Sequence, residues 1–428
     1  MTYDEALGYL ESLGTFGIKP GLERIGLLLE KLGNPEQKVQ FVHVTGTNGK
    51  GSVTSMLTNI FRCAGLQTGN FTSPHLVKWN ERITLQGESV TDEQLAQTIG
   101  KVKVAADAVA EVLEQPTQFE IITAVAFCLF AEAKLDIAVL EVGMGGLLDS
   151  TNVITPVCAV ITNVSLDHTD KLGNSLLELA EQKAGIIKQG VPVVTAAEAA
   201  VLSVLRAKAT SEHAKLYVLG KDFRVDIQES QFAEQKFTFC YEDTSQVYTI
   251  GLAGEHQVNN AALAVMTAVL VRAKYPVMTD DVIAEGLATT TWAGRLEQIA
   301  DDPTIILDGA HNLASAEVLR RAIDSYFATK KVCFVLGIMK DKDIQGIVDV
   351  LVKQTDLLVA TLADDSTRAA QPEDIVKFSK ANSFSEKTVV KAIAKAKELV
   401  GSDGVIVIAG SLYLVGQVKA LQGFGSRS

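Results

Sequence analysis

Cysteine is scarce. Five occur in 428 residues, at Cys63, Cys128, Cys158, Cys240 and Cys333, an odd number with no CxxC pair and mostly inside apolar segments. That pattern supports neither a disulfide framework nor a paired-thiol motif, and it predicts reduced core residues. No uninterrupted apolar run reaches the ~18 to 20 residues of a membrane span, although 47% of the residues are hydrophobic. The opening MTYDEALGYLESLG is acidic and amphipathic where a secretory leader has a basic and then an apolar stretch, so a cytoplasmic location is expected. Basic residues are outnumbered, 39 Lys and Arg against 51 Asp and Glu, for a formal net charge of −12. A nucleic-acid surface needs clustered Lys and Arg, and none is evident, so any anionic ligand must be held locally. Internal repeats and low-complexity tracts are lacking too. The length exceeds one ordinary core, which predicts two or three domains.

What is present centres on residues 41 to 64. FVHVT reads as a buried strand, GTNGKGS as a glycine-rich turn, and Val53, Met56, Leu57, Ile60, Phe61 and Ala64 recur at helical spacing on one face. Gly46, Gly49 and Gly51 let backbone amides close around an anion at a helix start, Lys50 supplies a point charge, and Ser52 a hydroxyl suited to Mg²⁺. The usual phosphate loop has glycine four residues before Gly-Lys and Ser or Thr directly after it. Here Val44 takes the first place, and Gly51 separates Lys50 from Ser52. The bland reading is a glycine-rich strand-to-helix turn.

Further apolar strands alternate with helices. LDIAVLEVGMGG ends in Glu141, VCAVITNVSLDH ends near Asp167 and His168, and TQFEIITAVAFCLFAEA is apolar all round, as a buried helix beginning near Phe119 would be. A helix is predicted from Ser175 to Ile187, with Leu176, Leu179, Ala180, Ala184, Ile187 and also Lys183 on its apolar stripe. Residues from about 223 to 252 read as short antiparallel strands. Beyond TTTWAGR, the strands IIL, VCFVL, LLVATL and GVIVIAG alternate with helical patterns. The expected fold is α/β: a parallel-sheet, P-loop-type ATPase domain with a small antiparallel section over residues 1–293, then a smaller Rossmann-like domain over residues 294–428.

Chemistry-bearing residues fall at strand ends. Glu141 is placed where open α/β sheets hold ligands and where a carboxylate can hold Mg²⁺ against phosphates, unless it merely caps a loop. His168 follows another strand end and reads equally as a hydrogen-bonded histidine. Lys183, taken alone, reads as a lysine that buries its stem and snorkels its ammonium. Asp308, His311 and Asn312 follow a strand in DGAHN.

TGTNGKGS resembles the ATP loop of the Mur ligase family, and the form with glycine after lysine is similar to its folate branch, the folylpolyglutamate and dihydrofolate synthases. The resemblance runs in order through TSPH, NERI, FEIIT, EVGMGG, DSTNVI, LDH, KAGIIK, HQxxN, RLE, DGAHN and GSLYL. It implies that Thr47, Asn48, Gly49, Lys50, Gly51 and Ser52 cradle ATP, joined by Gln257, Asn260, Arg295 and Asp308. It implies two Mg²⁺ sites drawing on Ser52, Ser73, Glu141 and His168, with Lys183 carrying a CO₂-derived carbamate as a further metal ligand. Arg82, Asp308, His311, Ser411 and Tyr413 are implied for substrate binding, and Lys50, His168, Lys183 and Arg295 for catalysis. Two positions depart from the family's pattern: Leu313 replaces a proline after DGAHN, and Leu147 an arginine after the paired glycines.

The function this resemblance implies is ATP-dependent addition of L-glutamate to the γ-carboxylate of a reduced folate through an acyl phosphate, in an enzyme expected to be a monomer. Dihydrofolate synthase activity on dihydropteroate is the rival nearest to it. A cell-wall Mur ligase would carry a different amino-terminal domain. A P-loop switch would not need the second α/β domain.

Overall fold

Strands made of β-branched and aliphatic residues on both faces need cover on both faces, and that requirement places them centrally. Gln40–Thr45, Ile137–Glu141 and Cys158–Ile161 pair in parallel in the middle of an eight-stranded sheet. The computed structural model describes residues 1–14, 19–167, 169–364 and 367–421. Across the sheet the order is Glu88–Ser89, Ile83–Leu85, Thr68–Phe71, Ile137–Glu141, Gln40–Thr45, Cys158–Ile161, Val193–Thr195 and Leu216–Val218. Only the two pairings at the first edge, which Ile83–Leu85 makes with Thr68–Phe71 and with Glu88–Ser89, are antiparallel.

One face is covered by the helices Asp92–Ala110 and Gln118–Glu132, backed by Tyr3–Leu13 and Glu23–Lys31. Gln118–Glu132 is apolar all round because neighbours enclose it on every side, as Ile121 through Phe130 are all buried. The other face is covered by Lys50–Cys63 and His256–Val271, with Asp280–Ala288 outside them. A three-stranded antiparallel sheet, Phe223–Gln231, Glu234–Tyr241 and Thr244–Ile250, packs against the same core through Phe237, Phe239 and Tyr248.

The helix predicted from Ser175 runs Leu176–Ala184. Lys183 does lie on its buried stripe, but Leu176 is exposed and Ile187 lies beyond the helix end. At Gly185 a Cβ would stand 2.3 Å from the Cα of Leu147, so the chain needs a residue without a side chain there.

The second half holds a six-stranded sheet ordered Glu297–Asp301, Thr304–Leu307, Val405–Ala409, Val332–Leu336, Leu357–Ala360 and Asn382–Ser385, antiparallel only at its first pair. Helices cover both of its faces, among them Leu313–Tyr326 on one and Val389–Val400 with Leu412–Leu421 on the other.

Two contacts away from the sheets tie the halves together. At the tip of the antiparallel hairpin, Phe232 packs edge-on against Tyr326 and Phe327, with ring centroids 5.5 and 5.3 Å away. The Ser230 hydroxyl shares a hydrogen bond of 3.0 Å with the Tyr326 hydroxyl. The second contact is backbone against glycine. Leu76, in the loop after Ser73, lies so close to the helix Leu412–Leu421 that a Cβ at Gly416 would be 2.0 Å from its carbonyl oxygen. Main chain cannot rotate away as a side-chain tip can, so Gly416→Ala is expected to pry this face open while each half keeps its own core. Faster protease cleavage between the halves at unchanged helix content would bear this out.

Candidate active site

Strand polarity sends the loops after Thr45, Glu141 and Ile161 to one edge of the first sheet. There Gly49, at φ +83°, leads into the helix Lys50–Cys63 without a side-chain cap, leaving the first-turn amides for an anion. The loop is clamped from the side. Asn163 accepts from the Asn48 amide at 2.9 Å and donates to the Asn48 carbonyl at 2.9 Å, while the Thr162 hydroxyl donates to that carbonyl at 2.6 Å. The Thr47 hydroxyl donates to the Ser165 carbonyl at 3.0 Å. Lys50 Nζ folds over the loop, donating to the carbonyls of Gly46 and Thr47 at 3.0 and 3.1 Å. The unusual glycine after the lysine has a packing cause: a Cβ on Gly51 would lie 2.8 Å from the Trp292 ring. Gln257 and Asn260, buried on the helix His256–Val271, join at 2.8 Å beside the loop.

Glu141 is buried at its strand end, and its Oε2 accepts from the Ser73 amide at 3.2 Å. Burial pushes its carboxyl above the usual range, while Lys50, the Ser73 amide, Arg295 and Arg82 pull the other way. The neighbouring Ser52 is also buried. This hydroxyl and carboxylate donor set fits a hard cation such as Mg²⁺. Among the described residues no three His, Cys, Asp or Glu side chains converge. Lys183 lines the same cleft, 4% exposed, with no hydrogen bond or ion pair among the described residues. Burial, reinforced by Lys50 and opposed by Asp167, lowers its pKa to about 7. His168 lies outside the described residues.

The opposite wall comes from the second half. The carboxylate of Asp308 accepts from the amides of Leu296 and Ala310 at 2.9 and 2.8 Å. Burial raises its pKa, and Arg295 opposes that rise. Arg295 and His311 line the cleft, and His311 Nδ1 donates to the Gly309 carbonyl at 2.8 Å. Asn312 caps the helix Leu313–Tyr326, accepting from the Ser315 amide at 2.9 Å, so this loop is ordered by a cap where the family pattern has proline. Ser411 is buried and Tyr413 exposed, both on the cleft. Arg82 stands outside the cleft lining: its Nε donates to His75 Nδ1 at 2.8 Å and its guanidinium lies 4.3 Å from the Trp79 ring centre. Leu147, at the other departure from the family pattern, is exposed.

The walls enclose a cleft of about 640 Å³ and touch across it. Asn312 Nδ2 donates to Asn48 Oδ1 at 3.2 Å and to Asp167 Oδ2 at 2.9 Å, and Lys342 Nζ donates to Asp167 Oδ1 at 2.8 Å. Sequence reasoning assigned no role to Asn163, Asp167 or Lys342. One signal was available for Lys342: GIMKDKD follows a strand's carboxyl end, as DGAHN does.

A glycine-loop phosphate cradle faced by a second α/β domain is the layout of an ATP-dependent ligase of the Mur type. Residues 44–268 match the Mur ligase middle domain, and residues 294–412 the Mur ligase glutamate ligase domain. The chain is 36% identical to the dihydrofolate synthase/folylpolyglutamate synthase of Bacillus subtilis, over 97% of this chain and 98% of that protein. Mycobacterium tuberculosis folylpolyglutamate synthase, solved with ADP and AMPPCP, superposes with a TM-score of 0.89 at 31% identity, covering 99% of this chain and 100% of that one. The Escherichia coli FolC structure with DHPP and ADP gives 0.87 at 27% identity over 99% and 98% of the two chains. The chain belongs to the Mur ligase family, in the branch of the folylpolyglutamate and dihydrofolate synthases. No helix among the described residues is long and apolar enough to cross a membrane.

Proposed function

We propose that this enzyme adds L-glutamate to the γ-carboxylate of tetrahydrofolate or its polyglutamates, consuming ATP and releasing ADP and phosphate. The observation that carries the reading is a single cleft whose walls are the phosphate cradle on one side and Asp308, His311 and Ser411 on the other. A carboxylate is a poor acyl donor. It therefore takes the γ-phosphoryl group of ATP, and the amine of glutamate attacks the resulting acyl phosphate, expelling phosphate. Thr47 to Ser52 hold the nucleotide's phosphates, Gln257 and Asn260 its remainder, and Lys50 and Arg295 neutralise charge spreading over the transferred group. Ser52, Ser73 and Glu141, with His168, would hold Mg²⁺, which when bound would neutralise further charge on the phosphates. Asp308, His311, Ser411 and Tyr413 bind the amino acid, Arg82 acts on the folate side, and closure of the two domains, residues 1–293 and 294–428, excludes water from the acyl phosphate.

Lys183 is proposed to react as a neutral amine with CO₂, forming an N–C bond and releasing a proton, so that a buried cation becomes an anionic oxygen donor. Its burial and its lack of a partner among the described residues support this. Because both walls belong to one chain, a monomer suffices.

A second activity, glutamate addition to dihydropteroate, is favoured by the double name of the Bacillus subtilis relative and by the DHPP in the Escherichia coli complex. Mass spectrometry of products from ATP, Mg²⁺ and L-glutamate with tetrahydrofolates or dihydropteroate tests both. Glutamylated tetrahydrofolate is expected, and its absence would refute the main reading.

A further inference from the structure

The chain that joins the two halves is fastened along one edge of the phosphate-loop helix. Gly51, Ser55 and Asn59 recur every four residues on Lys50–Cys63, and so share a face. Asn59 Nδ2 donates to the Gly286 carbonyl at 2.7 Å and to the Thr289 hydroxyl at 2.9 Å, and the Ser55 hydroxyl donates to the Thr291 carbonyl at 3.0 Å. Gly51 meets the Trp292 ring, which a Cβ there would approach to 2.8 Å. The linker thus descends the helix towards its amino end and stops at the phosphate loop. Past Trp292 the second half takes hold: the Gly294 carbonyl accepts from the Gly309 amide at 2.8 Å, and the Leu296 amide donates to Asp308 at 2.9 Å. Arg295 lies between those two anchors. Its guanidinium fits beside Gly309, where a Cβ would stand 2.2 Å from Nη1.

We propose that Trp292 is a positioning residue for phosphoryl transfer: seated on Gly51, it sets where the chain leaves the phosphate loop, and so sets the reach of Arg295 to the transferred group. The inference rests on the role proposed above for Arg295. A guanidinium helps only where charge develops, and a displacement of about 1 Å can cost about 100-fold in rate. Ser55 and Asn59 fix the direction of the linker through its carbonyls, and the indole fixes its end. At Gly51 the ring bears on main chain, which cannot rotate away as a side chain can. Gly51 also belongs to the first helical turn, whose uncapped amides face the anion. Cradle and stop therefore share one turn of helix.

A ring that merely covered the helix would affect turnover, if at all, independently of Arg295. The decisive measurement is therefore a double-mutant cycle on kcat with Trp292→Ala and Arg295→Ala. Trp292→Ala alone is expected to lower kcat by about 10- to 100-fold, with the KM for L-glutamate within about threefold of wild type. In the Arg295→Ala background the same substitution is expected to cost less than about threefold, because nothing remains to be aimed. Losses that multiply across the cycle overturn the proposal, and so does an unchanged kcat in Trp292→Ala. If Trp292→Ala does not fold, Trp292→Leu, which keeps apolar volume against the helix, enters the same cycle and is judged by the same outcomes. Arg295→Ala that turns over like wild type refutes the role of Arg295 itself, an outcome distinct from an Arg295-dependent enzyme that is indifferent to Trp292.

Discussion

Lys50→Ala is expected to lower kcat/KM by about 10³-fold or more, in line with loss of a cation that stabilises a transferring phosphoryl group. The fold should survive. Lys50 spends its hydrogen bonds on the Gly46 and Thr47 carbonyls of its own loop, not on the core, and these are part-buried. Stability should therefore change by no more than about 1 kcal/mol. Arginine is not expected to restore activity, since a planar fork differs from a compact ammonium that fits between the loop's carbonyls. Measured ADP release together with urea unfolding separates the two effects. A variant that turns over normally would remove the phosphate cradle from the active site.

Lys183→Met is expected to move activity and stability in opposite directions. Loss of the proposed oxygen donor should reduce kcat by about 10²-fold or more, with a small carboxylic acid restoring part of it. The fold should gain. Burial lowers the pKa of Lys183 from 10.5 to about 7, so between those values the unfolded chain binds a proton that the folded chain does not. Wild-type stability therefore rises with pH through that window. Below about pH 7 the ammonium is charged in both states and the full cost of burying it remains, a ceiling on the order of 5 kcal/mol. The methionine variant, compared in CO₂-depleted buffer, should be the more stable protein near and below pH 7, and the gap should close as pH rises toward 10.5. Equal stability of the two chains across that range would mean that the lysine is not desolvated.

Much of the candidate cleft was legible because parallel sheets impose a simple rule: the carboxyl ends of apolar strands, and the loops that follow them, gather along one edge. Gly49, Glu141, Asp308 and Ser411 all obey it, and strand position alone brings them to one cleft. Lys183 was legible through helical periodicity, which located it on the buried stripe. Periodicity names a face and not a partner. It put Leu176 on the same stripe, yet that residue is exposed, because the first turn extends past the cover that buries Leu179. Pairings across the cleft left no local trace: Asp167 and Lys342 meet from 175 positions apart. Trp292 read only as part of a linker, although its ring is what excludes a side chain at Gly51.

The hairpin tip gives the second half a fulcrum. Phe232 grips the carboxyl end of the helix Leu313–Tyr326, whose amino end carries Asn312 and, one residue earlier, His311. Fourteen helical residues make a rigid arm of about 21 Å. Swung through roughly 10°, an ordinary hinge rotation, its free end sweeps about 4 Å. Under the proposed function, that displacement would carry His311 out of reach of the amino acid, while the aromatic grip at the other end hardly shifts. Softening that grip would let the arm wander without touching a single residue of the cleft.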